Sequence, residues 1–234
     1  TLGYSWQSGA NFFKNNLIDW CPASNTLGWR WVAGIQTIGK PYVAKAENIK
    51  YFTANRFFPK GQLLENIFLN SDISSHRKAL DITLPETISI SKDINVGIIL
   101  NNNDLTFNQE FTHLGLNCHT CIFKLNNKNT LINKFENDIF EDIVNNSQNI
   151  ELIDTYESLF MWIDSNKIKC LILPYETIGN KIFNKTVFLR QLYYKKINFQ
   201  FYIREWDRNA LPYAKKGFFN FKKNIPYLLK LSHL

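Results

Sequence analysis

From residue 95 onward, short runs of apolar and β-branched residues alternate strictly with longer segments that carry apolar residues at helical spacing. The runs are four or five residues long, which suits strands that are buried on both faces. Strands separated by helices run parallel, because each helix carries the chain back to the edge where the previous strand began. Five strands are therefore predicted, at Val96–Leu100, Cys121–Leu125, Ile150–Ile153, Cys170–Leu173 and Phe199–Ile203.

Between these runs, apolar residues recur every three or four positions, a spacing typical of amphipathic helices. Such stripes predict helices that contain Phe135–Val144, Tyr156–Ile163 and Ile178–Leu189. The expected fold class is α/β overall, with an α-helical part followed by a parallel, flavodoxin-like or Rossmann-like sheet of about five strands. No Gly-x-Gly-x-x-Gly follows the first strand, so a dinucleotide site is not predicted there.

A second informative pattern is a helix predicted over 22–33, which Pro22 opens at its first turn. Asn25 and Trp29 stand four residues apart and therefore share one face of this helix. Trp31 points roughly 200° away from Trp29, at about 100° per residue. One face thus offers an amide beside an indole.

Two small features complete this face. Gly28 leaves room for a flat group to approach, and Asp19 stands just before the positive end of the helix dipole. The combination resembles the flavin-binding helix of the DNA photolyase and cryptochrome family. The resemblance implies FAD as the cofactor, with Asn25 at the reactive edge of its ring and Trp29 as its first electron donor.

The resemblance extends to both sides of the helix. Upstream, Trp6 lies in a Trp-x-x-Gly-x-x-(aromatic) run that ends in Leu-Ile-Asp, and the family pattern implies that Trp6 is the second member of an electron-hopping chain. Downstream, Trp31-Val-Ala-Gly leads into Gly39-Lys-Pro-Tyr42, and Trp31 is expected to contact the substrate. The resemblance covers about residues 3–58, a quarter of the chain.

Two departures from the family pattern bear on FAD binding. The family has Asp-x-Asp before the helix, whereas here Cys21 takes the second position, and a thiol caps a helix poorly. Asp19 and Cys21 are still the positions that the resemblance assigns to cofactor contacts. The chain also opens at Thr1, inside what resembles the middle of a flavin domain, so we expect it to hold FAD weakly or not at all in isolation.

The chain is expected to have three parts. Residues 1–58 form the C-terminal part of a helical FAD-binding domain, residues 59–94 a polar linker, and residues 95–234 a Rossmann-like α/β domain with a helical tail. The last part resembles the α/β domain of the same family. Its first predicted strand leads into a turn similar to the family's Asn-Asp-Leu-Arg, which here contains Asp104 and carries Thr106 in place of the Arg.

Two further motifs allow a chemical and a structural interpretation. Cys118 and Cys121 form a lone Cys-x-x-Cys without a second ligand pair, so no metal site is expected, and an ordinary turn with partly buried thiols is favoured. Lysines interleave with phenylalanines over residues 215–223, which resembles a nucleic-acid stripe. Packing of these aromatic rings against neighbouring helices, with the lysines solvated, is the favoured interpretation.

Composition bears on partners and compartment. The net charge of +7 suits a polyanionic partner and is taken as spread along the chain, and DNA is the partner that the resemblance implies. No apolar stretch approaches the length of a membrane span, and four cysteines without a regular framework indicate a reducing compartment. A cytoplasmic monomer without metal or membrane partner is expected.

Three functions are compatible with these patterns. The first is a photolyase-type lyase that repairs pyrimidine dimers in DNA with FAD and light. The second is a cryptochrome-like blue-light photoreceptor, and the third is a non-catalytic remnant or interaction protein. Asn25 favours the first, because cryptochromes often change that residue, whereas Cys21 favours the third.

Overall fold

A computed structural model of the protein describes residues 5–36, 42–63, 83–124, 130–147, 149–175 and 185–232. The chain divides into two compact units. One lies within residues 1–77 and the other within residues 78–234, and the short segment 129–132 is grouped with the first.

The first unit is helical. Its elements are α1 (Trp6–Asn16), a π-helical turn (Pro22–Thr26), α2 (Leu27–Val32) and α3 (Ala46–Phe52). The helix expected over 22–33 is therefore present, but its first five residues form a wider turn than an α-helix. Gly39, Lys40 and Pro41 of the predicted Pro-Tyr element lie outside the described residues. Among residues 5–36 and 42–63 only Gly34 and Ala46 are buried, so this part of the unit forms almost no apolar core.

A five-stranded sheet forms the centre of the second unit. Its strands are β1 (Asn95–Leu100), β2 (Asn117–Phe123), β3 (Ile150–Ile153), β4 (Ile168–Pro174) and β5 (Asn198–Tyr202). All neighbouring strands pair in parallel, in the order β3-β2-β1-β4-β5. This arrangement confirms the α/β fold class, and the order reverses direction between β1 and β4, as in Rossmann-like sheets.

Helices connect and follow the strands. They are α4 (Thr130–Asn146), α5 (Tyr156–Ser165), α6 (Lys185–Tyr194), α7 (Glu205–Ala210), α8 (Phe218–Lys222) and α9 (Ile225–Leu231). The stripes that contain Phe135–Val144 and Tyr156–Ile163 are thus confirmed as helices. Ile178 and Ile182 of the third stripe lie outside the described residues. In the described ranges, no helix combines the length and the apolar character that crossing a membrane requires.

Apolar side chains cover both faces of the sheet. Ile99 of β1 belongs to a cluster that includes Leu171, Leu173, Trp162 and Phe188. The neighbouring residues of β1 point to the opposite face and join a second cluster, which includes Val96, Ile98, Leu100, Phe107, Phe111 and Phe140. A strand that is buried on both faces needs apolar residues at consecutive positions, and this explains the continuous apolar run in the sequence of β1.

Gly97 allows β1 and β4 to pack closely at the centre of the sheet. A Cβ at this position would lie 2.7 Å from Cδ2 of Leu171 and 2.9 Å from Cδ1 of Ile168. Both side chains come from β4, whose Leu171 is the register partner of Gly97. The absence of a side chain at Gly97 therefore makes room for two buried side chains of the neighbouring strand.

The predicted strand ends are correct to within one or two residues, except at β2. This strand begins at Asn117 instead of Cys121, so the Cys-x-x-Cys motif lies within a strand and the predicted turn is wrong. Residues three apart in a strand point to opposite faces, and Cys118 and Cys121 indeed belong to different clusters. Burial raises the pKa of both thiols, and the nearby Glu151 carboxylate adds to the effect at Cys121. The two cysteines are therefore protonated packing residues.

A charged cluster joins the turn after β1 to the end of β5. The guanidinium of Arg204 donates to both carboxylate oxygens of Asp104, at 2.8 and 2.9 Å through Nη2, and to Oε1 of Glu110 at 2.5 Å. The Tyr202 hydroxyl donates to Glu110 at 2.9 Å, and burial together with this bond raises the pKa of Tyr202 to about 12. Arg204 also reaches Oγ1 of Thr106 at 3.2 Å. The turn carries Thr106 in place of an Arg, and the guanidinium that contacts it comes from Arg204, two residues after β5.

Candidate functional site

The predicted site residues lie on two consecutive helices of the first unit and the turn between them. Helix α1 ends at Asn16 because the following Leu17 is extended, with φ −90° and ψ 128°. Cys21 is extended as well, and Pro22 begins the π-helical turn, where its missing N–H is no loss. These two breaks place Asp19 in an exposed connection between the helices.

The amide of Asn25 lies within the π-helical turn. Its Nδ2 donates to the carbonyl oxygen of Cys21 at 3.3 Å and lies 3.4 Å from Oγ of Ser24. Both contacts are local and use the amide nitrogen, so neither engages the side-chain oxygen. A π-helical turn changes the direction in which its side chains point, and such turns occur frequently at functional sites.

Trp29 packs against α1. A Cβ on Gly9 would overlap the six-membered ring of the Trp29 indole, so the glycine is what allows the indole to approach α1. Phe13 contacts the same indole edge to face, with ring centroids 5.2 Å apart and planes at 78°. Trp29 is half-buried.

Trp6 belongs to the same side of α1. It stands three residues before Gly9 and seven before Phe13, a spacing that places all three on one face of a helix. That is the face that receives Trp29. The resemblance links Trp6 and Trp29 in an electron chain, and the face of α1 that carries Trp6 is the face on which Trp29 packs.

Trp31 has a different neighbour. Its ring stacks on that of Tyr42, with centroids 4.6 Å apart and planes at 28°, and 45% of Trp31 remains exposed. Trp29 and Trp31 therefore contact different parts of the first unit, as their separation around the helix predicts. Gly28, which directly precedes Trp29, has no atom within 4 Å of the position of a Cβ, so open space adjoins the helix there.

Cys21 is exposed at the start of the π-helical turn. Its neutral thiol makes no capping hydrogen bond. The backbone amide and the hydroxyl of Ser24, followed by the backbone amide of Ala23, favour the thiolate and lower the pKa of Cys21. The position at which the family pattern has a carboxylate thus holds a thiol whose ionisation its neighbours favour.

Arg30 is a residue that the sequence analysis missed. Its Nε is buried and has no hydrogen-bond partner among the described residues. A buried N–H without an acceptor is unfavourable, which makes this donor a candidate contact for a group outside the described part of the chain. The sequence contains no signal for this residue, because the burial of one nitrogen atom depends on how the helices pack.

Ligating side chains give no competing site in the described part of the chain. There, no group of three or more His, Cys, Asp or Glu is arranged to hold a metal ion. The donors near α2 are instead an amide, a guanidinium and indole rings beside open space, and these suit a flat, polar, aromatic ligand.

Comparison with known proteins assigns the first unit only. Residues 1–64 match the family model for the FAD-binding domain of DNA photolyase. No curated protein and no solved structure matches the chain. The matched segment contains α1, the π-helical turn, α2 and α3, and therefore every predicted site residue.

Proposed function

We propose that the chain acts in light-driven repair of pyrimidine dimers in DNA, because its residues 1–64 match the family model for the FAD-binding domain of DNA photolyase. FAD is the cofactor of this family of domains. When bound, FAD would supply a light-absorbing ring that accepts an electron from the protein and passes one to the pyrimidine dimer. The proposal depends most on one observation, the packing of Trp29 on the face of α1 that carries Trp6.

The residues near α2 fit the cofactor. Gly28 borders open space that a flat ring requires, and Asn25 has an amide oxygen that its two local contacts leave unused. Arg30 adds a buried donor without an acceptor among the described residues. In this proposal Asn25 contacts the reactive edge of the ring, with Asp19 and Cys21 at the start of the helix as further contacts.

Trp29 is the proposed immediate electron donor. Indole is among the side chains that are most easily oxidised, and Trp29 is rigidly held by Gly9 and Phe13. Trp6, on the same face of α1, is the proposed next donor. Transfer of the positive charge from Trp29 to Trp6 lengthens its distance from the cofactor and slows recombination.

Trp31 is the proposed contact to DNA. Its exposed ring, stacked on Tyr42, offers a flat aromatic surface to a base that has left the helical stack. An enzyme that works on a dimer has to extrude it from the duplex, and an aromatic surface offsets part of the lost stacking.

The test is photoreduction of FAD by blue light in the FAD-loaded protein, followed by absorbance. Trp29→Phe should slow photoreduction strongly and leave FAD affinity nearly unchanged, because Phe keeps an aromatic ring but is far harder to oxidise. Asn25→Ala should leave FAD bound and change which form of the cofactor accumulates, because Ala cannot present either an oxygen or an NH₂ to the ring. Trp31→Phe is the matched control and should photoreduce normally.

The same variants separate the proposal from its alternatives. If Trp31→Phe abolishes photoreduction and Trp29→Phe has no effect, the assignment of roles is wrong. Normal photoreduction without repair of a dimer-containing oligonucleotide would indicate a cryptochrome-like photoreceptor. Failure to bind FAD even with the cofactor added in large excess would indicate a non-catalytic remnant, a function that Cys21 in place of a carboxylate favours.

A further inference from the structure

The positive charge of the chain is concentrated at its end, and the expectation that it is spread along the chain is wrong. Residues 1–207 contain 21 Lys and Arg against 20 Asp and Glu, whereas residues 208–234 contain six Lys and Arg and no Asp or Glu. Nearly all of the net charge therefore belongs to the last 27 residues. Such a segment attracts polyanions.

Two aromatic rings in this segment face solvent. Phe218 is 64% exposed and Phe219 is 80% exposed, and the two rings contact each other edge to face at 5.6 Å. The favoured interpretation, in which these rings pack the helix on its neighbours, is therefore wrong for both. Phe221 is the half-buried ring of α8.

The exposed rings share one side of α8 with lysines. Lys222 stands four residues after Phe218 and three after Phe219, a spacing at which helical side chains are neighbours. Lys223 follows α8 directly, and both lysines are exposed. Gly217, with φ 86°, starts the helix in a backbone conformation that other residues rarely adopt. We call Phe218, Phe219, Lys222 and Lys223 the α8 patch.

We propose that the α8 patch binds single-stranded nucleic acid, with bases stacked on Phe218 and Phe219 and phosphates contacted by Lys222 and Lys223. Proteins that bind single strands without sequence preference combine exposed aromatic rings with positive charge in this way. A duplex offers phosphates but not free base faces, so single strands are the favoured ligand. This activity requires neither FAD nor light.

A second pair of exposed aromatic rings, at the end of α6, differs from the α8 patch in the positive charge beside it. Tyr193 and Tyr194 at the end of α6 are each 80% exposed and precede two lysines in sequence, as Phe218 and Phe219 do. Lys195, however, forms an ion pair with Asp164 at 3.1 Å and lies over the ring of Phe160. The pair at α6 therefore has similar aromatic exposure with part of its charge neutralised.

The test is binding of the full chain to a fluorescein-labelled oligothymidylate in the dark, followed by fluorescence anisotropy at several salt concentrations. Phe218→Ala with Phe219→Ala should weaken binding by about tenfold or more, because each stacked base contributes on this scale. Lys222→Gln with Lys223→Gln should lower the slope of log affinity against log salt by about 1.4, since each phosphate contact on a single strand contributes about 0.7. Tyr193→Ala with Tyr194→Ala is the matched control and should bind normally.

Several outcomes would overturn the proposal. They are wild-type affinity in the Phe218/Phe219 variant, an equal loss in the Tyr193/Tyr194 control, and tighter binding of the corresponding duplex. Binding of vesicles rich in phosphatidylserine, with the same dependence on Phe218 and Phe219 and no binding of the oligonucleotide, would identify a membrane surface instead.

Circular dichroism of each variant checks its fold. The lysine variant keeps both rings, so its salt slope provides a second test. The oligonucleotide is undamaged, so the result is independent of repair.

Discussion

Two helical glycines of the first unit show how much a single position contributes to the site. Gly9 lies in α1 under the ring of Trp29, where a methyl group has no space, whereas Gly28 lies in α2 beside open space. Glycine is unfavourable within a helix compared with alanine, and only Gly9 has a packing reason that offsets this cost.

Opposite effects on stability are therefore expected when each glycine is replaced by alanine. Gly9→Ala should lower the free energy of unfolding by about 1–3 kcal/mol, the usual cost of overpacking. Gly28→Ala should leave it unchanged or raise it by up to about 1 kcal/mol through helix propensity. Denaturant unfolding, monitored by tryptophan fluorescence, measures both. Equal effects of the two substitutions would contradict the packing of Trp29 on Gly9.

Sequence spacing predicted the proposed site residues Asn25 and Trp29 but not the residues that pack beside them. Asn25 and Trp29 were predicted because their four-residue interval and their types are visible in the sequence. Gly9 and Arg30 were missed, because their significance depends on contacts between α1 and α2 and on burial of one nitrogen atom. Such properties arise only when helices pack against each other.

At the scale of elements, the cluster around Arg204 connects parts of the chain that are distant in sequence. Arg204 follows β5, whereas Asp104 belongs to the turn after β1 and Glu110 to the short helix that follows it. Bidentate geometry suits arginine and not lysine, whose ammonium contacts a carboxylate as a point charge. The cluster thus fixes the turn after β1 relative to β5.

Arg204→Lys should therefore lower the free energy of unfolding by about 1–2 kcal/mol, a discounted value because the three side chains are 26–33% exposed. Arg208→Lys is the matched control. Among the described residues, the Arg208 side chain makes one 3.4 Å hydrogen bond, to the carbonyl oxygen of Glu86, and its replacement should change stability by less than about 0.5 kcal/mol. Thermal unfolding of both variants compares their stabilities. An Arg204→Lys variant as stable as the wild type would show that the cluster contributes little to stability.

The elements themselves differed in how well their sequence revealed them. Four of the five strands are mainly apolar, and the alternation of apolar runs with helical stripes predicted them. The first half of β2, Asn117 to Thr120, is polar and was missed, because its strand conformation depends on pairing with β1. Asn117 also donates through Nδ2 to Oδ1 of Asn95 at 2.7 Å. The π-helical turn was missed because apolar periodicity does not distinguish a single widened turn from an α-helix.

At the scale of the whole molecule, the two units differ in how much apolar surface they bury. The second unit has two clusters of buried side chains, one on each face of its sheet. In the first unit, the described residues 5–36 and 42–63 include only two buried ones, and Tyr51 and Phe52 are almost fully exposed. Local stability follows buried apolar contact, so the second unit should be the more resistant to opening.

Hydrogen–deuterium exchange followed by mass spectrometry measures this difference directly. Peptides that cover β1 and β4 should exchange slowly, and peptides that cover α1 and α2 should exchange orders of magnitude faster. Saturating FAD should slow exchange in α1 and α2 and leave β1 unaffected, because a ligand stabilises the part of the protein that binds it. Equal protection of α1 and β1 without ligand would contradict this prediction.

The position of β1 in the middle of the sheet has a consequence for folding during translation. Asn95 pairs with Asn117 on one side and with Ile168 on the other, so one edge of β1 lacks its neighbour until β4 has left the ribosome. During that interval an apolar strand has an unpaired edge, the kind of surface on which chains aggregate. A pause in translation between residues 123 and 168 would therefore prolong the stage at which the nascent chain is most prone to aggregate. The strand that is buried most deeply in the folded protein is thus the one that most needs a chaperone during synthesis.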